Sequence, residues 1–185
     1  MKKDKVLVLG SGKDLTQRLN TSSEAGPTFA DNFEEVVTLD YNPGVGADYQ
    51  ISIQELWPVE LQNGSFDEVH AYEVLHLVDG IKFFVVWKNI WNALKPGGLA
   101  FATVPWWESV WAFQDPLSRD VYSRERLQYL DQGYYSKPAV SSYNLEVWTP
   151  PYHFVQVVSQ IRLGKDNNPK TAGYAFVLQK VPFEG

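Results

Sequence analysis

A chain of 185 residues is long enough for one domain with a sizeable core and too short for two comfortable ones. Hydrophobic residues make up 44% and charged residues 21%, and the longest aliphatic-aromatic run, Phe83–Trp87, is far too short to span a membrane; a globular protein without a membrane span, and cytoplasmic in the absence of a leader pattern, is expected. The lack of cysteine excludes disulfides, thiolate metal sites and cysteine nucleophiles, and a net charge of −6 with basic residues clustered only at Lys2, Lys3 and Lys5 makes nucleic acid an unlikely partner.

In chain order, Lys5–Leu9 reads as a buried strand stopped by Gly10-Ser11-Gly12. Asp14 is expected to cap a following helix, with Gln17 completing a capping box. A polar loop runs from Thr21 to Asn32. Glu35–Leu39 is a second strand ending at Asp40, Tyr49–Ile51 a short third and Phe66–Val74 a fourth. The segment Ile81–Leu94 places Phe84, Trp87, Ile90, Trp91 and Leu94 on one helical face, with Asp79 as cap and Pro96-Gly97-Gly98 as stop. Leu99–Val104 is a fifth strand. After a weak helix around Arg124–Asp131, Phe154–Leu163 and Ala172–Lys180 form an antiparallel hairpin across Gly164–Gly173.

Strand-helix alternation followed by a hairpin predicts an α/β fold, one domain over 1–185, with a mostly parallel sheet and an antiparallel edge. Ligands of such sheets bind beyond the carboxyl ends of the strands, where strand order reverses. Gly10–Asp14, Asp40, Ser52–Ile53, Tyr72–Glu73 and Pro105–Trp107 all fall at such ends.

The glycine loop is not a Walker loop: Gly12-Lys13 is followed by Asp14, and Leu7 stands five residues before Gly12. Nor is it a dinucleotide fingerprint, because the third glycine is Leu15 and a pyrophosphate would face Asp14 at the helix start. A plain strand-to-helix turn fits the glycines alone.

Gly10-Ser11-Gly12, Asp40, Ser65-Phe66-Asp67-Glu68-Val69 and Leu94-Lys95-Pro96-Gly97-Gly98, taken in that order over Val6–Trp107, resemble a class I S-adenosylmethionine (SAM)-dependent methyltransferase. The last element is the most specific. The resemblance implies a Rossmann-like sheet with helices on both faces and SAM as cofactor. It places Gly10, Ser11 and Gly12 beneath the methionine part of SAM and Asp40, followed by Tyr41, at the ribose hydroxyls. Ser52, Ile53 and Gln54 would flank adenine, while Ala71, Tyr72 and Glu73 would face the reactive methyl. SAM carries no phosphate, so it does not need the third glycine. The chain departs from the family at Val8 and Ser52, where acids are common, and at Asp14, where a third glycine is common.

The acceptor is implied to be a small molecule or an accessible side chain. The end of the fourth strand reads Ala71-Tyr72-Glu73-Val74 where base methyltransferases resemble [DN]-P-P-[YFW], and the absent cysteine excludes covalent attack on cytosine C5. Glu73-Val74-Leu75-His76 resembles the E-x-L-E-H of ubiquinone-type O-methyltransferases, but with His76 and Leu77 in the last two places no metal site is expected. Glu73 is the candidate catalytic group, and its alternative is a charge facing water. Trp106 and Trp107 are candidate acceptor-pocket walls or loop packing, and His153 is a further candidate at the crevice. Two functions stay open: a methyltransferase, or a non-catalytic protein of that fold serving as a binding or assembly module.

Overall fold

The computed structural model describes residues 2–12, 28–135, 137, 152–163 and 167–182. Six strands make one sheet: β1 (Lys3–Leu9), β2 (Phe33–Leu39), β3 (Phe66–Tyr72), β4 (Leu94–Pro105), β5 (Phe154–Arg162) and β6 (Gly173–Lys180), in the order β2-β1-β3-β4-β6-β5. The first four strands are parallel, and β6 runs antiparallel to both β4 and β5. Because β2 flanks β1 on one side and β3 on the other, the order reverses beside β1. A crevice therefore opens between the carboxyl ends of β1 and β3.

Alternation along the strands divides the core between two faces. Leu7, Leu9, Val69, Ala71, Ala100, Ala102 and Val104 turn to the larger cluster, where the small alanines let a helix approach. That helix, α2 (Phe83–Ala93), buries Val86, Trp87 and Ile90 there, and Trp87 meets Phe154 edge to face at 5.5 Å. Val6 and Val8 turn the other way, against Phe29 of a short helix α1 (Phe29–Asn32) and Phe33. Helices thus lie on both faces. Among the described residues no helix is long and apolar enough to cross a membrane.

Local readings are corrected at several points. The third strand shrinks to a single parallel bridge between Leu39 and Tyr49, because the Asp48 carboxylate takes the Thr38 N–H at 2.8 Å and its hydroxyl at 2.7 Å in place of a backbone ladder. The loop before β2 ends in a helical turn, since Thr28 and Asp31 form a reciprocal capping box. Asp79 does not cap α2: a 3-10 turn over Gly80–Lys82 intervenes, and the Asp79 N–H donates to Gln54 Oε1 at 2.9 Å. The fourth strand stops at Tyr72. The expected helix cap at Asp14 and Gln17 lies outside the described residues.

The Leu94–Gly98 motif is a structural staple. A Cβ on Gly98 would lie 2.9 Å from the Lys95 carbonyl oxygen and 3.1 Å from that of Asp67, so the turn closes tightly on β3. Lys95 Nζ bridges Asp67 and Asp4 at 2.8 Å each, and Lys180 Nζ donates to the Leu94 carbonyl at 2.7 Å. All of this sits at the amino edge of the sheet, opposite the crevice.

On the second face a buried chain runs through β3. His70 stacks on Phe101 at 4.6 Å; its Nε2 lies 2.7 Å from Glu68 Oε2 and its Nδ1 2.7 Å from the Tyr72 hydroxyl, while Lys3 pairs with Glu68. Burial pushes the His70 pKa below the usual imidazole value, against the upward pull of Glu68. The neutral ring with its proton on Nε2 satisfies both partners, donating to Glu68 and accepting from Tyr72. As pH falls below about 6.5, the unfolded chain gains a proton that folded His70 refuses, so stability is lost at up to ~1.4 kcal/mol per pH unit. His76, also held down by burial against Asp115, adds to the same window. His70→Gln keeps a donor and an acceptor without titrating, and its urea midpoint should fall less between pH 7.5 and 5 than that of the parent. Equal falls would remove His70 from the account.

Candidate functional site

The crevice is built from three strand ends. Gly10 leaves β1 with φ +61°, its N–H donating to the Leu39 carbonyl at 2.8 Å, and the Ser11 N–H reaches the same oxygen at 3.4 Å. A Cβ on Gly10 would stand 2.6 Å from Val74 Cγ2. The backbone of the β1 turn therefore touches the segment after β3, and only glycine permits the approach. Asp40, at the end of β2, is 8% exposed. Its Oδ2 accepts the Gly12 N–H at 3.0 Å and its Oδ1 the Asn42 N–H at 2.9 Å. A carboxylate has about four acceptor positions, so two are left over among the described residues, and Asp40 lines the crevice.

The resulting cavity holds about 340 Å³, within the range of small-molecule clefts. Gly10, Asp40, Tyr41, Ser52, Ile53 and Glu73 come together in its lining. Ser52 Oγ accepts the Gln54 N–H at 3.2 Å, which shapes a turn that also brings Gln54 to the wall. Val8, where the family commonly has an acid, is buried in the apolar cluster with Val6, Phe29 and Phe33.

Other expected residues lie elsewhere. Ser11 is fully buried with its Oγ unpartnered, and neither it nor Gly12 lines the cavity. Ala71 is sealed in the larger core cluster. Tyr72 shares the second sheet face with His70 and Phe29, because it is two residues on from His70 in an alternating strand. Trp106 packs on Tyr174 of β6 at 5.2 Å and donates from Nε1 to Glu108 Oε2 at 3.1 Å. Trp107 is half exposed over a separate hollow with Val121 and Arg126. His153 is corrected outright: β5 pairs Phe154 with Lys180 at the amino edge, so His153 sits across the sheet from the crevice, 3.0 Å from Asp131 Oδ1.

Glu73 occupies the most telling position. It ends β3 in a left-handed conformation, φ +52°, a strain of about 1–2 kcal/mol that glycine would avoid, with its N–H donating to the Thr103 carbonyl at 2.9 Å. One side of the residue is open to solvent. Protein crowding the carboxyl on the other side raises its pKa above the usual carboxylate value, opposed by a hydrogen bond with the Thr103 side chain. Glu73 lines both the crevice and a second cavity of about 460 Å³. A carboxylate between two adjoining cavities can touch a ligand in either.

Arg119 and Leu117 also line the crevice. They were not individually expected. The Arg119 and Asp120 N–H groups both donate to the His76 carbonyl, at 2.8 and 3.1 Å, which ties this loop over the strand ends. The Asp115-Pro116 turn, with Asp115 Oδ1 accepting the Leu117 N–H at 2.8 Å, was the available signal for it.

Comparison with known proteins yields folds only. The sequence matches no protein-family model, and no curated protein matches it. Among solved structures, the chain is similar to the N-methyltransferase NodS from Bradyrhizobium japonicum WM9 in complex with S-adenosylhomocysteine (SAH), at a TM-score of 0.59 and 12% identity over 96% of this chain and 78% of that one. It is similar to the Burkholderia thailandensis 1,6-didemethyltoxoflavin-N1-methyltransferase, solved with 1,6-didemethyltoxoflavin and SAH, at 0.59 and 16% over 98% and 72%. A Haloferax volcanii putative methyltransferase, in complex with the Trm112 methyltransferase activator, aligns at 0.61 and 13% over 98% and 84%.

Proposed function

We propose that this chain, which has the fold of the class I SAM-dependent methyltransferases, binds SAM in the crevice and methylates a small molecule or an accessible side chain. The observation that carries the reading is the meeting of Gly10, Asp40 and Val74 where the strand order reverses. Asp40 offers its two open acceptor positions to a vicinal diol. Gly10 lets the β1 turn close on Val74, and both line the crevice, while Ser52, Ile53 and Gln54 form a half-apolar wall suited to a flat heterocycle. SAM, when bound, supplies an electrophilic methyl group. The chain's part is to hold and orient, since positioning provides most of the acceleration in such displacements. An acceptor that must shed a proton can pass it to the Glu73 carboxylate, whose raised pKa makes it a better base than an ordinary glutamate.

The second reading is a non-catalytic binding module of the same fold. It is favoured by Val8, which leaves an apolar cluster where a carboxylate would otherwise help hold the ammonium of SAM. Thermal unfolding and titration calorimetry with SAM and SAH test binding, and ligand at one hundred times Kd should stabilise the chain by about 2.7 kcal/mol. No heat and no shift at millimolar ligand would end the cofactor reading. Binding without turnover across acceptor classes would leave the module.

A further inference from the structure

We infer that the second cavity, beside the crevice, is the acceptor site and that it takes a cationic amine; the acceptor role rests on the SAM reading, the preference for an amine on the cavity's own chemistry. The cavity holds about 460 Å³ and shares Glu73 with the crevice. Its ionisable lining consists of Glu73, Asp115 and His76, and no lysine or arginine lines it among the described residues. Arg119, the nearest cation along the loop, lines the crevice and a further hollow that it shares with Asp115 and Asp120, and the Asp120 carboxylate there is paired with Arg126 at 2.6 Å.

The His76 ring is 7% exposed, and its Nδ1 has no hydrogen-bond partner. Burial keeps the ring neutral, so it adds no positive charge to offset the carboxylates. Trp111, 45% exposed, contributes an indole wall, and Gln114 a neutral amide. Two carboxylates and a half-exposed indole around one opening attract a cation by charge and by the ring's quadrupole. The same groups repel a carboxylate or phosphate, and they leave a neutral alcohol with no charged partner to gain. An ammonium has three N–H donors, and the carboxylates of Glu73 and Asp115 can accept from it. To accept a methyl group it must first give one of these protons to Glu73, which frees the nitrogen lone pair; the new N–C bond then replaces the methyl–sulfur bond of SAM and leaves SAH. The chemistry of the ammonium is common to a free small amine and to the end of a lysine side chain.

The test uses a matched set, benzylamine, benzyl alcohol and benzoate, together with an N-acetyl-lysine amide peptide, titrated into the full chain with and without saturating SAH and followed by tryptophan fluorescence and calorimetry. SAH alone is read first through thermal stabilisation, so failure of the cofactor reading registers separately. Benzylamine or the lysine peptide is expected to bind at least ten-fold more tightly than the alcohol, with no binding of benzoate; which of the two amines binds better identifies the source. Asp115→Asn keeps the oxygen that holds the Leu117 N–H and should fold normally. It should weaken the amine by about three-fold or more while leaving SAH affinity unchanged. Alcohol or benzoate binding as tightly as the amines would overturn the inference. So would unchanged amine affinity in Asp115→Asn, or a protein that binds SAH and no amine.

Discussion

Gly10→Ala is expected to destabilise the chain by about 2–5 kcal/mol and to abolish SAH binding. The first contribution is conformational: alanine at φ +61° costs about 1–2 kcal/mol. The second is steric, because the new Cβ would lie 2.6 Å from Val74 Cγ2 and 2.9 Å from Val74 Cβ, and overpacking of that kind costs about 1–3 kcal/mol. Against a typical total of about 5–15 kcal/mol the variant should still fold, with a displaced β1 turn. Gly12→Ala is the control, since Gly12 has φ +63° but a Cβ there meets nothing within 4 Å among the described residues, so it should lose only the conformational part. Val74→Ala in the Gly10→Ala background removes the nearer contact and should restore part of the loss, a positive coupling in a double-mutant cycle. Urea midpoints are measured on five proteins: the parent, Gly10→Ala, Val74→Ala, the double variant and Gly12→Ala. A Gly10→Ala variant no less stable than Gly12→Ala would mean that the close approach to Val74 carries no energy.

The strands were legible because their residues are β-branched or leucine-rich and end in strong punctuation, as at Gly10 and Asp40. Helix α2 was legible from its apolar spacing, and the hairpin from the polar turn between two apolar runs. The crevice residues Gly10, Asp40, Ser52 and Ile53 follow from one rule, that ligands sit beyond carboxyl strand ends. The rule fixes a position along the chain and not a side-chain direction. Tyr72 was placed at the cofactor although its parity with His70 sends it to the other face. Extending the fourth strand through Val74 also hid the left-handed break at Glu73, since nothing in the residue type announces a positive φ.

His153 required knowing which edge the hairpin starts from, and that depends on pairing across β6. The loop carrying Leu117 and Arg119 is held mainly by backbone bonds to His76, which leave no periodic trace in residue type. The Leu94–Gly98 motif shows the converse: it carried most of the resemblance, yet it sits at the amino edge and acts through packing.

Asp40→Ala is expected to lower SAH affinity by about ten-fold to a few hundred-fold, since hydrogen bonds to a charged acceptor contribute roughly 1.5–3 kcal/mol each. An acid at a strand end that faced solvent would have little packing to lose, and its removal would leave the fold intact. The structure adds a cost, because the buried carboxylate also holds the Gly12 and Asn42 N–H groups, and its removal should destabilise the loop by about 1–3 kcal/mol. Asp40→Asn keeps an acceptor for Asn42 but turns its amide N–H toward Gly12, so it should fall between the two in both quantities. Loss of affinity alone is therefore ambiguous: a loosened loop would weaken any ligand. The 2′-deoxy analogue of SAH separates the causes. If Asp40 accepts from the ribose hydroxyls, the parent protein should bind the deoxy analogue at least ten-fold more weakly than SAH. In Asp40→Ala that difference should vanish, because the hydroxyl has lost its acceptor. If Asp40 only shapes the turn, both proteins should show the same penalty for the missing hydroxyl. Calorimetric titrations of two ligands into two proteins decide it, and an unchanged penalty in Asp40→Ala would remove the ribose contact on which the crevice reading depends.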